Sequence, residues 1–363
     1  MSDRIESTKP LTEESSDSTK TAVAVMIMIV TLLGTVFAFL QSQASNEEAR
    51  AAREAESASL RSMVKVNEAG RSIGRDNLAY GLWSDHEWLR YSYDLTATAG
   101  GPNSAYARLL SEVEGAVSSE LEQYSMMLQG EEYALEDGTY DYALFYEELY
   151  APSYEAAEFD EQYATERDAW GGKADAFVAV ITVLAVALFL LGLSSTITPA
   201  VRKQFIVAGG VVAAVAAIWG AATYLRGVQA PSPKAIDDYV AATVEVNTAE
   251  DVEDYERAIA RLDSAIEERE GYANAFLVRG NAYFNLDFLN SDGPQGSEDA
   301  LADFNRALES NPDDWVSIGN VGAVHYWLGN YEASLENTEG TTRPPWRTPK
   351  RRWRSNRTIR SYL

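Results

Sequence analysis

Residues 21–40 read TAVAVMIMIVTLLGTVFAFL, and this run without a charged residue decides the fold class. A helix rises about 1.5 Å per residue, so about 20 such residues cross the hydrocarbon core of a bilayer. Residues 174–193 and residues 205–225 have the same character, with Asp175 as the one acid at an edge. The sequence therefore predicts an all-α membrane protein with three transmembrane helices.

The charge of the chain is strongly negative, with 30 Lys and Arg against 55 Asp and Glu. Residues 41–173 hold 26 acids against 10 bases, and residues 226–339 hold 23 against 7. Nucleic acid and anionic lipid are poor partners for such surfaces, because phosphate binding needs the opposite sign. Cysteine is absent, which excludes disulfides, a thiolate nucleophile and a cysteine metal cage.

Composition divides the rest of the chain. Residues 1–20 are rich in Ser, Thr and Glu, which predicts disorder. Residues 41–173 are predicted to form an acidic, tyrosine-rich helical domain, opened by a capping box at Ser45 and interrupted at Gly100, Gly130, Gly138 and Pro152. Its tyrosines favour an aromatic core, and a ligand-binding aromatic surface is the alternative. Residues 226–249, with the sequence QAPSPK, are predicted to be a linker.

Basic residues near the spans predict the orientation. The short turn between the second and third spans carries Arg202 and Lys203 and no acid, and Lys20 precedes the first span. Short basic turns remain on the cytoplasmic side. This places the N-terminus inside and the C-terminal region outside a membrane that we take to be the bacterial plasma membrane.

An internal repeat follows the third span. Ala265, Gly280 and Leu286 recur 42 positions later and Tyr283 aligns with His325, and removing the polar insertion at residues 290–297 leaves a period of 34. The residues that define the repeat are Tyr255, Ala258, Ala265, Phe276, Gly280, Tyr283, Ala300, Phe304, Ala307, Pro312, Gly322 and Leu328. Glycine and alanine at these positions allow two antiparallel helices to pack closely, and proline ends a helix.

The spacing of residues 250–338 resembles the tetratricopeptide repeat (TPR) family. The family has leucine where this chain has Arg279, and proline where it has Glu270. The resemblance implies a short α-solenoid whose concave surface binds a protein or peptide partner. The array is incomplete, because stable arrays need about three or more repeats.

The basic tail, residues 339–363, breaks this pattern. From Gly340 onward it holds eight bases and no acid, and Thr338, Thr341 and Trp346 stand where the register predicts an aromatic residue, alanine and proline. A shifted coding frame is our hypothesis for this segment. A basic tail that binds anionic lipid or nucleic acid is the alternative.

No motif in the sequence predicts catalysis. His86 lies beside Asp85 and Glu87, which point in different directions on a helix, and His325 takes a packing position of the repeat. We therefore expect no enzyme activity, no catalytic or metal-binding residues and no cofactor. The leading interpretation is a membrane-anchored scaffold, and the alternative is a sensor whose domain at residues 41–173 binds a small ligand. Whether the chain forms a homo-oligomer is left open.

Overall fold

The computed structural model describes residues 11–135, 139–290 and 295–334. Within them the fold is all-helical, without strands beyond an isolated antiparallel bridge between Ala134 and Tyr140. The helices are α1 Leu11–Ala99, α2 Ser104–Glu122, α3 Met126–Gln129, α4 Tyr142–Thr196, α5 Pro199–Leu225, α6 Pro233–Thr248, α7 Val252–Glu268, α8 Ala273–Asn290, α9 Gln295–Ser310 and α10 Trp315–Trp327. The chain divides into two units, Met1–Met63 with Ala156–Pro231, and Val64–Glu155 with Ser232–Leu363.

Helices α1, α4 and α5 each contain a segment that is long and apolar enough to cross a membrane. Within the described residues these are the three such helices, in agreement with the prediction from hydropathy. Their common core includes Phe37 of α1, which stacks on Phe177 of α4 at 6.0 Å between ring centroids. The fold is thus that expected of a membrane protein with three spans.

The glycines of α5 allow its neighbours to approach closely. A Cβ atom on Gly209 would lie 2.9 Å from Leu191 of α4, and one on Gly220 would lie 2.3 Å from Phe37 of α1. Small residues at these positions allow van der Waals contact between the helices, which matters because the hydrophobic effect does not drive helix association within lipid. The glycines of α5 thus allow close approach of both α4 and α1.

Beyond the first span, α1 runs antiparallel to α4. Arg50 donates to Glu166 at 2.5 Å, and a Cβ atom on Gly171 would lie 3.1 Å from the carboxylate of Glu48. Alanines at positions 51, 55 and 58 are buried on α1, and polar residues at positions 158, 162 and 166 are buried on α4. This part of α1 is therefore closely paired with α4.

The acidic region of the second unit is built around tyrosine. Helix α1 turns into α2 at Gly100 and Gly101, whose φ angles of 74° and 119° only glycine adopts readily. Tyr133 and Phe145 are buried in one cluster and meet edge to face at 5.3 Å. Burial and a hydrogen bond to Glu148 raise the pKa of Tyr133, so its hydroxyl stays neutral and donates to that carboxylate at 2.6 Å. Aromatic rings therefore pack against one another in this cluster.

Three predicted boundaries are wrong. Helix α1 begins at Leu11, so residues 11–20 are helical rather than disordered, while residues 1–10 lie outside the described residues. No break separates the first span from Ser45, because a helix propagates readily once its nucleus exists. Pro152 lies inside α4, where the hydroxyl of Ser153 donates to the carbonyl oxygen of Tyr150 at 2.6 Å. Gly138 also lies outside the described residues.

Most of the predicted linker at residues 226–249 is helix α6. The hydroxyl of Ser232 accepts from the backbone N–H of Ala235 at 3.3 Å, and Pro233 occupies the first turn, where proline is favoured. Ala235, Ile236, Ala242 and Val246 are buried. Helix α6 packs on α7 and α8, after which α8 packs on α9 and α9 on α10. The linker is therefore limited to the few residues before Pro233.

Candidate functional site

The residues that the repeat pattern singled out form the core of the C-terminal helices. A Cβ atom on Gly280 would lie 2.6 Å from the Phe304 ring, so this glycine sets how closely α8 approaches α9. The buried members of the set are Tyr255, Ala258, Ala265, Phe276, Gly280, Ala300, Phe304, Ala307 and Gly322. Tyr283 and Leu328 are partly buried, and Pro312 is exposed between α9 and α10. These residues have a structural role and leave the outer faces of the helices available.

Arg279 lies where the repeat pattern has an apolar residue, and its side chain forms a network of ion pairs. Its guanidinium donates to both oxygens of Asp303 at 2.7 Å and to Asp263 at 2.5 Å, so it joins α8 to α9 and α7. Burial opposes the charged form, but the hydrogen bonds and charges of the two aspartates raise the pKa of Arg279. Asp303 is 4% exposed, and burial raises the pKa of its carboxyl against the effect of Arg279. The bidentate geometry favours an ionised pair.

A pair of asparagines links α8 to α10. The side-chain amide of Asn320 donates to the side-chain oxygen of Asn281 at 2.8 Å. Asn281 follows Gly280 by one residue, which places it about 100° round α8 from the contact with α9. Each amide has more donors and acceptors than this bond uses. The pair can therefore bind the backbone of another chain.

Aromatic rings lie beside this pair. Trp327 lies on the same face of α10 as Asn320, because seven residues make about two helical turns. Its ring lies 5.4 Å from Phe288 and 6.3 Å from Phe284, both on α8. Phe288 is 64% and Trp327 51% exposed, which is unusual for rings of this size. We call Asn281, Phe284, Phe288, Asn320 and Trp327 the docking face.

A second candidate site lies in the acidic region of the chain. It is a cavity of about 480 Å³ lined by Ser72, Arg75, Asp76, Leu78, Ala79, Leu82, Leu121, Tyr124 and Met126. One wall is fixed by Asp76, a buried residue of α1. Its carboxylate accepts hydrogen bonds from the N–H of Met126 at 2.5 Å, the N–H of Met127 at 3.3 Å and the hydroxyl of Ser125 at 3.1 Å. The remaining lining is mostly apolar, with Arg75 as the base.

The histidines form no chemical centre in the described part of the chain. His86 pairs with Glu114 of α2 at 2.5 Å, which joins α1 to α2. His325 occupies its predicted position on α10, partly buried. No group of three or more potential metal ligands occurs among the described residues.

Of the residues that predicted the orientation, Arg202 has a structural role. Its guanidinium donates to the carbonyl oxygens of Ser194 at 3.1 Å and Ile197 at 3.3 Å, at the end of α4. Lys20 and Lys203 are exposed on α1 and α5. The predicted repeat residues beyond Ser334 and the basic tail at residues 339–363 lie outside the described residues.

The docking face and the Asp76 contacts were not predicted from the sequence. Asn281 and Asn320 are 39 positions apart, and the internal alignment, which pairs residues 42 positions apart, does not indicate that these two side chains meet. The carboxylate of Asp76 bonds to residues about 50 positions away. Neither a protein-family model nor a curated protein matches this chain.

Proposed function

We propose that this chain is a membrane-anchored scaffold, whose TPR-like C-terminal helices bind a peptide segment of a partner protein. The docking face is the observation that carries the proposal. It combines exposed aromatic rings with side-chain amides, the composition that protein interfaces favour at their centre. We take residues 250–290 and 295–334 as the described part of the TPR-like region, and α6 as a helix that packs against it.

The chemistry of the docking face indicates the kind of peptide that it binds. The unused groups of Asn281 and Asn320 match the N–H and C=O groups of a peptide backbone. The rings of Phe288 and Trp327 lie seven residues further along their helices, about 10 Å, so they offer an apolar surface to a side chain about three residues away along an extended peptide. A short segment with one aromatic or branched apolar residue, flanked by polar residues, is the partner that fits.

The membrane anchor determines where in the cell this binding occurs. The three spans hold the chain in a bilayer, which we propose to be the bacterial plasma membrane with the N-terminus inside. Arg202, bound to the turn between α4 and α5, supports this orientation because basic turns stay on the cytoplasmic side. A reporter fused after Lys234 and active on one side of the membrane alone tests it.

Replacing Trp327 with alanine is expected to weaken peptide binding about tenfold or more. An aromatic side chain that becomes buried at the centre of an interface contributes more than about 1 kcal/mol to the binding free energy. The full chain in lipid nanodiscs is used to select peptides from a random displayed library, and their affinities are measured by fluorescence anisotropy. Asn320→Ala is expected to reduce the same affinities.

Trp315→Ala provides the matched control. Trp315 is 71% exposed on the same helix, but lies about 140° round the helix from Asn320. If Trp327→Ala leaves the affinities of the selected peptides unchanged, or if Trp315→Ala reduces them equally, the docking face is not the binding site.

The cavity beside Asp76 supports a second candidate function, a sensor that binds a small ligand. Its volume lies in the usual range for ligand sites, about 300–1,000 Å³, and its lining combines apolar walls with a basic residue. A ligand with an apolar body and an acidic group fits this lining. Signalling would then pass along α1 or α4 into the spans.

Filling the cavity with Leu82→Trp is expected to abolish binding of such a ligand. The probe is 1-anilinonaphthalene-8-sulfonate, an apolar ring system with one negative charge, titrated against the full chain in nanodiscs. Leu95→Trp, at an exposed position outside the cavity, is the control. Equal fluorescence enhancement in both variants and in the original chain excludes this cavity as the ligand site.

A further inference from the structure

A cavity opens at the end of the third span. It has a volume of about 420 Å³ and lies between α4, α5 and the residues that follow α5. Its lining comprises Asp168, Ala169, Gly172, Lys173, Ala176, Trp219, Thr223, Arg226, Gly227, Val228 and Gln229. All of these residues belong to one unit of the chain. The cavity therefore has two bases, an acid and several polar groups close to the apolar part of the spans.

Lys173 holds the end of α5 in place. Its ammonium donates to the carbonyl oxygens of Tyr224 at 3.2 Å and Arg226 at 2.9 Å, which satisfies acceptors that a helix C-terminus leaves open. It also lies 5.0 Å from the centre of the Trp170 ring. An ammonium has three N–H donors, so one remains for a ligand.

Arg226 adds a second positive charge to the lining. Among the described residues, none forms a hydrogen bond or ion pair with its guanidinium. The acid of the lining, Asp168, is engaged by Arg167 at 2.8 and 2.9 Å. The cavity thus has an excess of positive charge, although the regions on either side of it in sequence are acidic. The expectation that anionic lipid is a poor partner concerns acidic surfaces, and the charge of this cavity differs from theirs.

The surroundings indicate where an anion would come from. Val207, Val211, Val215 and Ile218 of α5 are all exposed, and their spacing places them along one side of the helix. This apolar side ends at Trp219, a residue of the lining that is 43% exposed. Tryptophan favours the level of the headgroups in a bilayer. An acyl chain along α5 would have its headgroup at the cavity.

We propose that this cavity binds the phosphate group of an anionic phospholipid, with Arg226 and Lys173 as its donors and the side of α5 as the contact for an acyl chain. Charge-assisted hydrogen bonds from a guanidinium and an ammonium hold a phosphate group in such a basic cavity. Arginine suits the role because its planar guanidinium offers two parallel N–H groups to phosphate oxygens. Thr223 and Gln229 supply further polar groups around the phosphate.

The test measures lipid binding to the full purified chain in detergent by native mass spectrometry. Dioleoylphosphatidylglycerol is compared with dioleoylphosphatidylcholine, which has the same chains and no net charge, and inorganic phosphate is added as a competitor. The original chain is expected to bind phosphatidylglycerol at least about tenfold more tightly, as befits a charge-assisted contact. Millimolar phosphate is expected to displace little of the lipid.

Arg226→Gln is expected to lower the affinity for phosphatidylglycerol about tenfold, and Arg226→Lys to retain part of it. Lys203→Gln is the matched control, because it removes an exposed base at the other end of α5 and is expected to have no effect. Equal binding of the two lipids, or equal loss in the Arg226 and Lys203 variants, overturns the proposal. Displacement of the lipid by phosphate at equal concentration would show a site for soluble phosphate and would also overturn it.

Discussion

Replacement of Arg279 with leucine is expected to lower the free energy of opening of α8 and α9 by about 3–5 kcal/mol. The substitution removes both charge-assisted hydrogen bonds from Asp303, whose side chain is 6% exposed. A buried carboxylate without its partner has lost its hydration, and no protein contact offsets that loss of free energy. Asp263 is 55% exposed, so its loss of a partner adds little. Hydrogen exchange of the α8 and α9 amides in the full chain measures the change.

Two further variants separate the buried charge from packing. Arg279→Leu combined with Asp303→Ala is expected to recover most of the loss, because apolar residues can replace a buried ion pair at little cost. Arg257→Leu removes an exposed arginine bound to Asp254 on one helix and is expected to change exchange little. If the double variant exchanges as fast as Arg279→Leu, the isolated charge of Asp303 is not the cause.

Asp76→Ala is expected to lower the free energy of local opening around α3 by about 3 kcal/mol. The buried hydroxyl of Ser125 and the buried N–H of Met127 lose their acceptor, as does the N–H of Met126. Each unsatisfied buried donor costs about 1–3 kcal/mol. Exchange of the Met126 and Met127 amides is expected to rise about a hundredfold, since about 1.4 kcal/mol is tenfold.

Asp85→Ala is the control for this effect. Asp85 lies nine residues further along α1 and is exposed. Its replacement removes the same charge and is expected to leave exchange at α3 unchanged. An equal rise in both variants would show that loss of charge on α1, rather than loss of the hydrogen bonds of Asp76, destabilises this region.

Features with a local cause could be predicted from the sequence. The apolar run at residues 21–40 needs no partner to indicate a span, because its length and hydropathy suffice. The burial of Ala258, Ala300 and Phe304 follows from a spacing that repeats within the chain. The end of α1 at Gly100 follows from the backbone freedom of glycine.

Features that depend on distant residues could not be predicted. Arg279 stood out as a departure from the repeat pattern, but its partners Asp263 and Asp303 are acids among many in this region. Helix α6 was mistaken for a linker because Pro231 and Pro233, just before and at its first residue, suggested an extended chain. Its burial depends on α7 and α8, which the local sequence does not reveal.

The sequence by itself determined an all-helical chain with three apolar spans and the residues that pack the C-terminal helices, because hydropathy and helical spacing act over a few turns. Only the tertiary structure decided which polar groups meet. The Asn281–Asn320 pair, the Asp76 contacts at α3 and the cavity beside Arg226 join residues from different helices. Hydrogen bonds and ion pairs act over a few ångströms in space, and distance along the chain does not limit them.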